Sequence, residues 1–174
     1  AAAWNIPNRL NFLYTVPMFH CNGWCYPWTL AMLHARVICI RNIRAKEVFD
    51  LITEHKVTHF GGAPIILNML ASAPKEEQKP LKHKVYVLTA AAPPPSIIFK
   101  KMKNLGFEVM HVYGLTETYG HILQCAWNKE WDDLNEDEKA DINARQGVRY
   151  PNLEDVDVMD PETMKAVPRD GKTI

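Results

Sequence analysis

The segment His111-Val112-Tyr113-Gly114-Leu115-Thr116-Glu117-Thr118 has the residue types and spacing best suited to chemistry. A strand-like run ends at a glycine turn, which leaves a hydroxyl and a carboxylate side by side. That pairing suits a phosphate and its magnesium: threonine donates to phosphate oxygens, glutamate supplies a hard oxygen ligand, and the tyrosine face stacks on a base. The same string also reads as a plain strand-to-loop turn with solvated polar groups. A second cluster, His20, Cys21 and Cys25, has metal-binding residue types. A structural zinc needs four convergent ligands, and no second pair accompanies these three. His34, His55, His59 and His83 read as ordinary surface or core histidines. Trp127 and Trp131 read as packing or interface residues, and Asp132 to Asp141 as a solvated acidic helix face.

The elements around these residues follow from periodicity. Leu10 to Val16 is an apolar run closed by Pro17, hence a strand. Trp24 to Leu33 is a helix with Pro27 in its first turn. Val37 to Ile40 is β-branched and short, which predicts a strand buried on both faces. Val48, Leu51, Ile52 and His55 share a helical face over Ala45 to Lys56. Val57 to Phe60 is the next strand, and Gly61-Gly62-Ala63-Pro64 opens a helix through Leu70. After a charged loop at Ser72 to Pro80 come a strand (Lys84 to Thr89), a helix (Pro95 to Leu105, stopped by Gly106) and a strand (Phe107 to Val112).

This alternation predicts an α/β fold, a mostly parallel sheet covered by helices. Ligands bind such sheets beyond the carboxyl ends of the strands. Three loops belong there: Gly61 to Pro64, Thr89 to Pro95, and Tyr113 to Thr118. The chain is expected to divide into residues 1–128, which carry the motifs, and residues 129–174. The latter hold an acidic helix at Trp131 to Ala144 and a strand–turn–strand unit around Asp160-Pro161, the start of a β-rich segment.

Composition narrows the function classes. The 174 residues suffice for one packed core. Twenty basic side chains balance 20 acidic ones, which argues against a sequence-independent nucleic-acid binder and against a polybasic membrane anchor. Leu10 to Ala35 carries no formal charge, yet Pro17, His20, Asn22, Gly23 and Pro27 make it unfit as a membrane span. Four cysteines without C-x-x-C spacing, and a start without a secretory leader pattern, fit a reduced, cytoplasmic protein.

Tyr113-Gly114-Leu115-Thr116-Glu117 resembles the central motif of the adenylate-forming (AMP-binding) superfamily, which includes acyl-CoA synthetases. Pro17-Met18-Phe19-His20-Cys21-Asn22-Gly23-Trp24 resembles a second motif in its acyl-CoA synthetase form. Gly61-Gly62-Ala63-Pro64 and Thr89-Ala90-Ala91-Ala92-Pro93 resemble two more, in the family's order. Asn143-Ala144-Arg145-Gln146-Gly147 is similar to the branch that activates medium-chain and methylthio-substituted propionate-type acids.

The resemblance implies roles. Thr116 contacts ATP phosphates and Glu117 holds magnesium, as the catalytic pair. Tyr113 lies against adenine, with Ala91, Ala92 and Pro93 on its other side. Gly114 and Leu115 border the acyl carboxylate. His20 and Trp24 line the acyl pocket, opposite Gly61, Gly62 and Ala63. Where the family often has glycine in the adenine loop, this chain has Ala90-Ala91-Ala92. Either a methyl group narrows the slot or the match is shifted by one residue.

The implied reaction joins a small or medium carboxylic acid to coenzyme A through an acyl-adenylate, with ATP and magnesium. The family's lysine-bearing phosphate loop, ribose-holding aspartate and C-terminal lysine have no counterpart here. The chain is therefore expected to be an internal piece of a longer enzyme, inactive alone and completed by its N- and C-terminal parts, with homo-oligomerisation left open. Two rivals remain: a non-catalytic nucleotide- or acyl-binding module, and an adenylating enzyme with another acyl acceptor.

Overall fold

A computed structural model describes Trp4 and residues 6–170. Seven strands form one sheet: β1 (Asn11–Tyr14), β2 (Arg36–Cys39), β3 (His59–Gly61), β4 (Val85–Thr89), β5 (Phe107–Leu115), β6 (Gly120–Gln124) and β7 (Val148–Arg149). Their spatial order is β2-β1-β3-β4-β5-β6-β7. The first five run parallel, and β6 and β7 add on antiparallel. From β1 the chain moves outward to β2 and then returns past β1 to β3. The sheet therefore has a reversal of strand order at β1 and β3, the kind of place beyond the carboxyl ends where α/β sheets bind ligands.

The connections are helical, as the alternation predicts. A single turn, α1 (Cys21–Trp24), leads to α2 (Tyr26–Met32), then α3 (Ala45–His55), α4 (Pro64–Ala71), α5 (Ser96–Asn104) and α6 (Glu136–Asn143). Two apolar clusters flank the sheet. On one face, Val48, Phe49 and Ile52 of α3, Leu67 and Leu70 of α4, and Met102 of α5 pack on Leu13, Phe60, Val87 and Phe107. On the other, Tyr26 and Leu30 of α2 pack on Phe12, Tyr14, Leu88 and Val112. Neighbours such as Phe12 and Leu13 thus enter opposite cores. Each fully buried Leu, Ile or Phe contributes about 1.5–3 kcal/mol.

Several boundaries differ from expectation for physical reasons. β2 is not buried on both faces: it is the sheet's rim, and only Ile38 is covered. α3 stops at His55 because Lys56 adopts φ 51° and turns its N–H back to Ile52. β5 runs three residues past Val112, held by the hairpin it makes with β6. The expected helix from Trp131 divides into a 3₁₀ turn at Lys129–Asp133 and α6, which begins at a capping box between Asn135 and Glu138. α6 docks on α5 through Lys100–Asp137 and Lys103–Glu136 ion pairs. Around Asp160 a turn closes a single antiparallel bridge between Met159 and Ala166.

Candidate active site

Register places the motif-bearing loops at one level. Leu13 pairs with Phe60, Phe60 with Val87, and Thr89 with His111. The exits of β1, β3, β4 and β5 therefore share the carboxyl edge. One side-chain and one backbone hydrogen bond tie these exits together: the Thr15 hydroxyl donates to the Gly61 carbonyl, and the Gly62 N–H donates to Leu88 O at 2.9 Å.

The loop after β1 is strained. Cys21, Asn22, Gly23, Trp24 and Cys25 all have positive φ, between 43° and 61°. Only Gly23 occupies this region without steric cost; for an ordinary side chain the cost is roughly 1–2 kcal/mol. Tyr14 pins the turn from inside by donating its hydroxyl to Gly23 O at 2.9 Å. Burial, the foremost cause, pushes the Tyr14 phenol up to about 12. The turn sorts its two expected acyl-pocket residues: His20 faces solvent, whereas Trp24 is buried.

Trp24 meets the opposite wall directly. A Cβ on Gly61 would lie 3.3 Å from the indole and 3.2 Å from the Tyr26 ring. Gly62 is buried beside Ile66 and Leu67, and half-buried Ala63 caps α4 ahead of Pro64. Trp24 also stands edge-on to His121, with ring centroids 5.2 Å apart and planes at 82°. Trp24, Tyr26 and His121 line a cavity of about 550 Å³ together with Trp4, Leu88 and Tyr150; Gly61, Gly62 and Ala63 do not line it. Desolvation lowers the His121 imidazole to about 4, so it is neutral there at physiological pH. Nothing in its residue type marked His121 for this place. Its only signal was a position five residues beyond Thr116.

The central motif is not a glycine turn. Gly114 lies within β5, where the hairpin brings Gly120 so close that a Cβ would sit 2.0 Å from Gly120 O. The turn itself is Thr116–Tyr119, closed by Tyr119 N–H to Thr116 O at 3.1 Å. The Thr118 hydroxyl accepts from Leu115 N–H at 2.8 Å and donates to Gly120 O at 2.8 Å. This arrangement leaves Thr116 and Glu117 exposed at the tip, above half-buried Tyr113 and Gly114 and exposed Leu115. In the neighbouring loop Ala91, Ala92 and Pro93 are exposed, and Ala91 has φ 83°, a conformation that favours glycine.

One contact joins the loops after β1 and β5: Cys21 Sγ lies 3.1 Å from Thr116 Oγ1. Among the described residues no three His, Cys, Asp or Glu side chains converge on a metal position. A lone exposed carboxylate beside a hydroxyl suits magnesium, which keeps its waters and shares phosphate oxygens with one or two protein carboxylates. The residues present therefore fit that ion. A second cavity, of about 460 Å³, lies by α5 and α6 among Phe99, Met110, Trp127 and Asn143, away from the motif.

Comparison with known proteins gives a consistent set. The family described as AMP-binding enzyme matches residues 1–173. The chain is 54% identical over 172 residues to the peroxisomal acetate/butyrate–CoA ligase AAE7 of Arabidopsis thaliana. That match covers 98% of this chain and 30% of the relative. It is 51% identical over 176 residues to the acetate–CoA ligase CCL3 of Humulus lupulus, covering 100% of this chain and 31% of that one. The chain thus spans under a third of the length of these relatives. The N-terminal domain of FACL13 from Mycobacterium tuberculosis superposes with a TM-score of 0.64 at 27% identity, over 71% of this chain and 32% of that domain.

Proposed function

The chain belongs to the AMP-binding enzyme family, and on that premise we propose that it supplies part of the active site of an ATP-dependent acid–thiol ligase. The observation that carries this reading is the meeting, at one sheet edge, of an aromatic wall with an exposed threonine–glutamate tip. Trp24 and Gly61 form the wall, Thr116 and Glu117 the tip, and Cys21 bridges the two.

In this reading a carboxylic acid lies along Trp24 on the side of Gly61, Gly62 and Ala63, its carboxylate bordered by Gly114 and Leu115, while His20, which faces solvent, is left outside the wall. Its oxygen forms a bond to the α-phosphorus of ATP and pyrophosphate leaves. The thiol of coenzyme A then attacks the acyl carbon and AMP leaves. Thr116 donates to a phosphate oxygen, and Glu117 offers its carboxylate to magnesium. The ion, when bound, neutralises charge on the phosphates. Tyr113 and the Ala91–Pro93 backbone flank adenine. Preorganised donors of this kind act where charge develops.

The printed names of the relatives, acetate/butyrate and acetate ligases, support a short acid. We assign the remaining phosphate-binding and lysine-bearing parts to a longer protein, in which this segment is one portion. No helix among the described residues is long and apolar enough to cross a membrane. Four free cysteines support a reducing compartment, the cytoplasm in our reading. The name of the Arabidopsis relative makes the peroxisome the alternative. The test is acid-dependent exchange of pyrophosphate into ATP by the complete enzyme; exchange with no acid tried rejects the reading.

A further inference from the structure

Five consecutive residues in the left-handed region are an unusual burden for a chain with one glycine among them. Burial explains where Trp24 goes, but it does not explain Cys21, which is only half buried. What the turn gives Cys21 is a partner 95 residues away, the Thr116 hydroxyl at 3.1 Å. Thr116 and Thr118 differ in this respect. The Thr118 hydroxyl is spent on the turn's own backbone, whereas the side-chain partner of Thr116 among the described residues is Cys21.

We propose that Cys21 is a positioning residue for Thr116: its thiol donates to Oγ1 and thereby turns the hydroxyl hydrogen toward an anionic oxygen bound over the Thr116–Glu117 tip. A hydroxyl has one hydrogen and two acceptor sites. Filling an acceptor site with S–H leaves the hydrogen free for the ligand and turns it away from the Cys21 side. Cys21 also shares its turn with Trp24, three residues on, so the contact links the aromatic wall to the threonine tip. The proposal rests on the ligase reading for the identity of the anion, a phosphate of ATP. The contact itself does not depend on that reading.

The experiment uses the complete enzyme and four variants: Cys21→Ala, Cys21→Ser, Thr116→Val and the Cys21→Ala/Thr116→Val double. Cys21→Ala is expected to lower kcat/KM for ATP in pyrophosphate exchange by about tenfold, the scale of one lost hydrogen bond, with KM for the acid changed less than twofold. Cys21→Ser, which keeps an O–H donor, is expected to recover most of the loss. The double variant is expected to be no worse than Thr116→Val. Exchange within twofold of the parent in Cys21→Ala, no rescue by serine, or multiplicative losses in the double would overturn the proposal. The alkylation rate of Cys21 by iodoacetamide, followed by mass spectrometry, reports the contact without any activity. It is expected to change severalfold in Thr116→Val, and an unchanged rate also overturns the proposal. A parent enzyme silent toward every acid, with the alkylation arm intact, overturns the ligase reading and with it the phosphate role, while the contact stands.

Discussion

Gly61 and Trp24 pack so closely that a Cβ on the glycine would lie 3.3 Å from the indole ring. The second core residue against that position is Tyr26, at 3.2 Å, so a larger side chain there meets both rings. Gly61→Val is therefore expected to cost ~1–3 kcal/mol through overpacking. On the proposed reading it is also expected to raise KM for the acid more than KM for ATP, because the displaced indole enters the cavity it shares with His121 and Tyr150. Urea midpoints and steady-state kinetics check both parts; a variant as stable as the parent contradicts the packing.

Ala91 holds φ 83° in an exposed loop, where glycine is at ease and alanine is not. Replacing alanine by glycine in a loop ordinarily destabilises, because the unfolded chain gains freedom. At this position relief of strain opposes that loss, and Ala91→Gly is expected to raise stability by up to about 1 kcal/mol. Ala92→Gly, without a positive φ to relieve, is the control and is expected to lower it. The two midpoints must move in opposite directions.

Burial holds the His59 and His121 imidazoles at about 4, below their usual 6.5. Both are neutral in the folded protein, while the unfolded chain takes up protons first as pH falls. The stability they contribute is fully present above about pH 6.5 and is lost between there and about pH 4. The slope is at most ~1.4 kcal/mol per pH unit for each histidine. Burial lowers His111 as well, so urea midpoints at pH 7.5, 6 and 5 are expected to fall, and His121→Gln is expected to remove part of the slope. A flat profile contradicts the burial of both rings.

Thr116 and Glu117 are exposed, and Glu117 makes no ion pair among the described residues. Their removal is expected to cost the fold little and the reaction much. Thr116→Val and Glu117→Gln should leave the melting temperature where it was. Each is expected to depress adenylate formation by about 10²–10³-fold, the scale for one preorganised group acting on developing charge. Equal losses of stability and turnover would make both residues structural.

The parallel half of the sheet was legible because its strands are short apolar runs between amphipathic helices. Val48 and Ile52, four apart, face one core, as their spacing predicts. The rim position of β2 was not legible, since a β-branched run such as Val37 to Ile40 looks the same in a sheet's centre and at its edge. β6 escaped for a different reason. Its five residues are all half-buried, so no alternation marks the strand. Its hairpin signal, Gly120 after the Thr116–Tyr119 turn, lies just past a motif read for its chemistry. In the site, the motif residues reached the expected edge, but the left-handed turn sends His20 outward and Trp24 inward. Helix and loop propensities carry no sign of such a turn, because tertiary contacts from Tyr14, His121 and Thr116 hold it.

The central claim is that this chain carries the threonine–glutamate tip of an acid-activating site. The most direct measurement is exchange of labelled pyrophosphate into ATP by the complete enzyme, with short and medium carboxylic acids, in the parent and in Glu117→Gln. The expected result is exchange that requires an acid and proceeds without coenzyme A, acyl-CoA when the thiol is added, and a large loss in Glu117→Gln. Full exchange in Glu117→Gln, or none in the parent with any acid, would contradict the account.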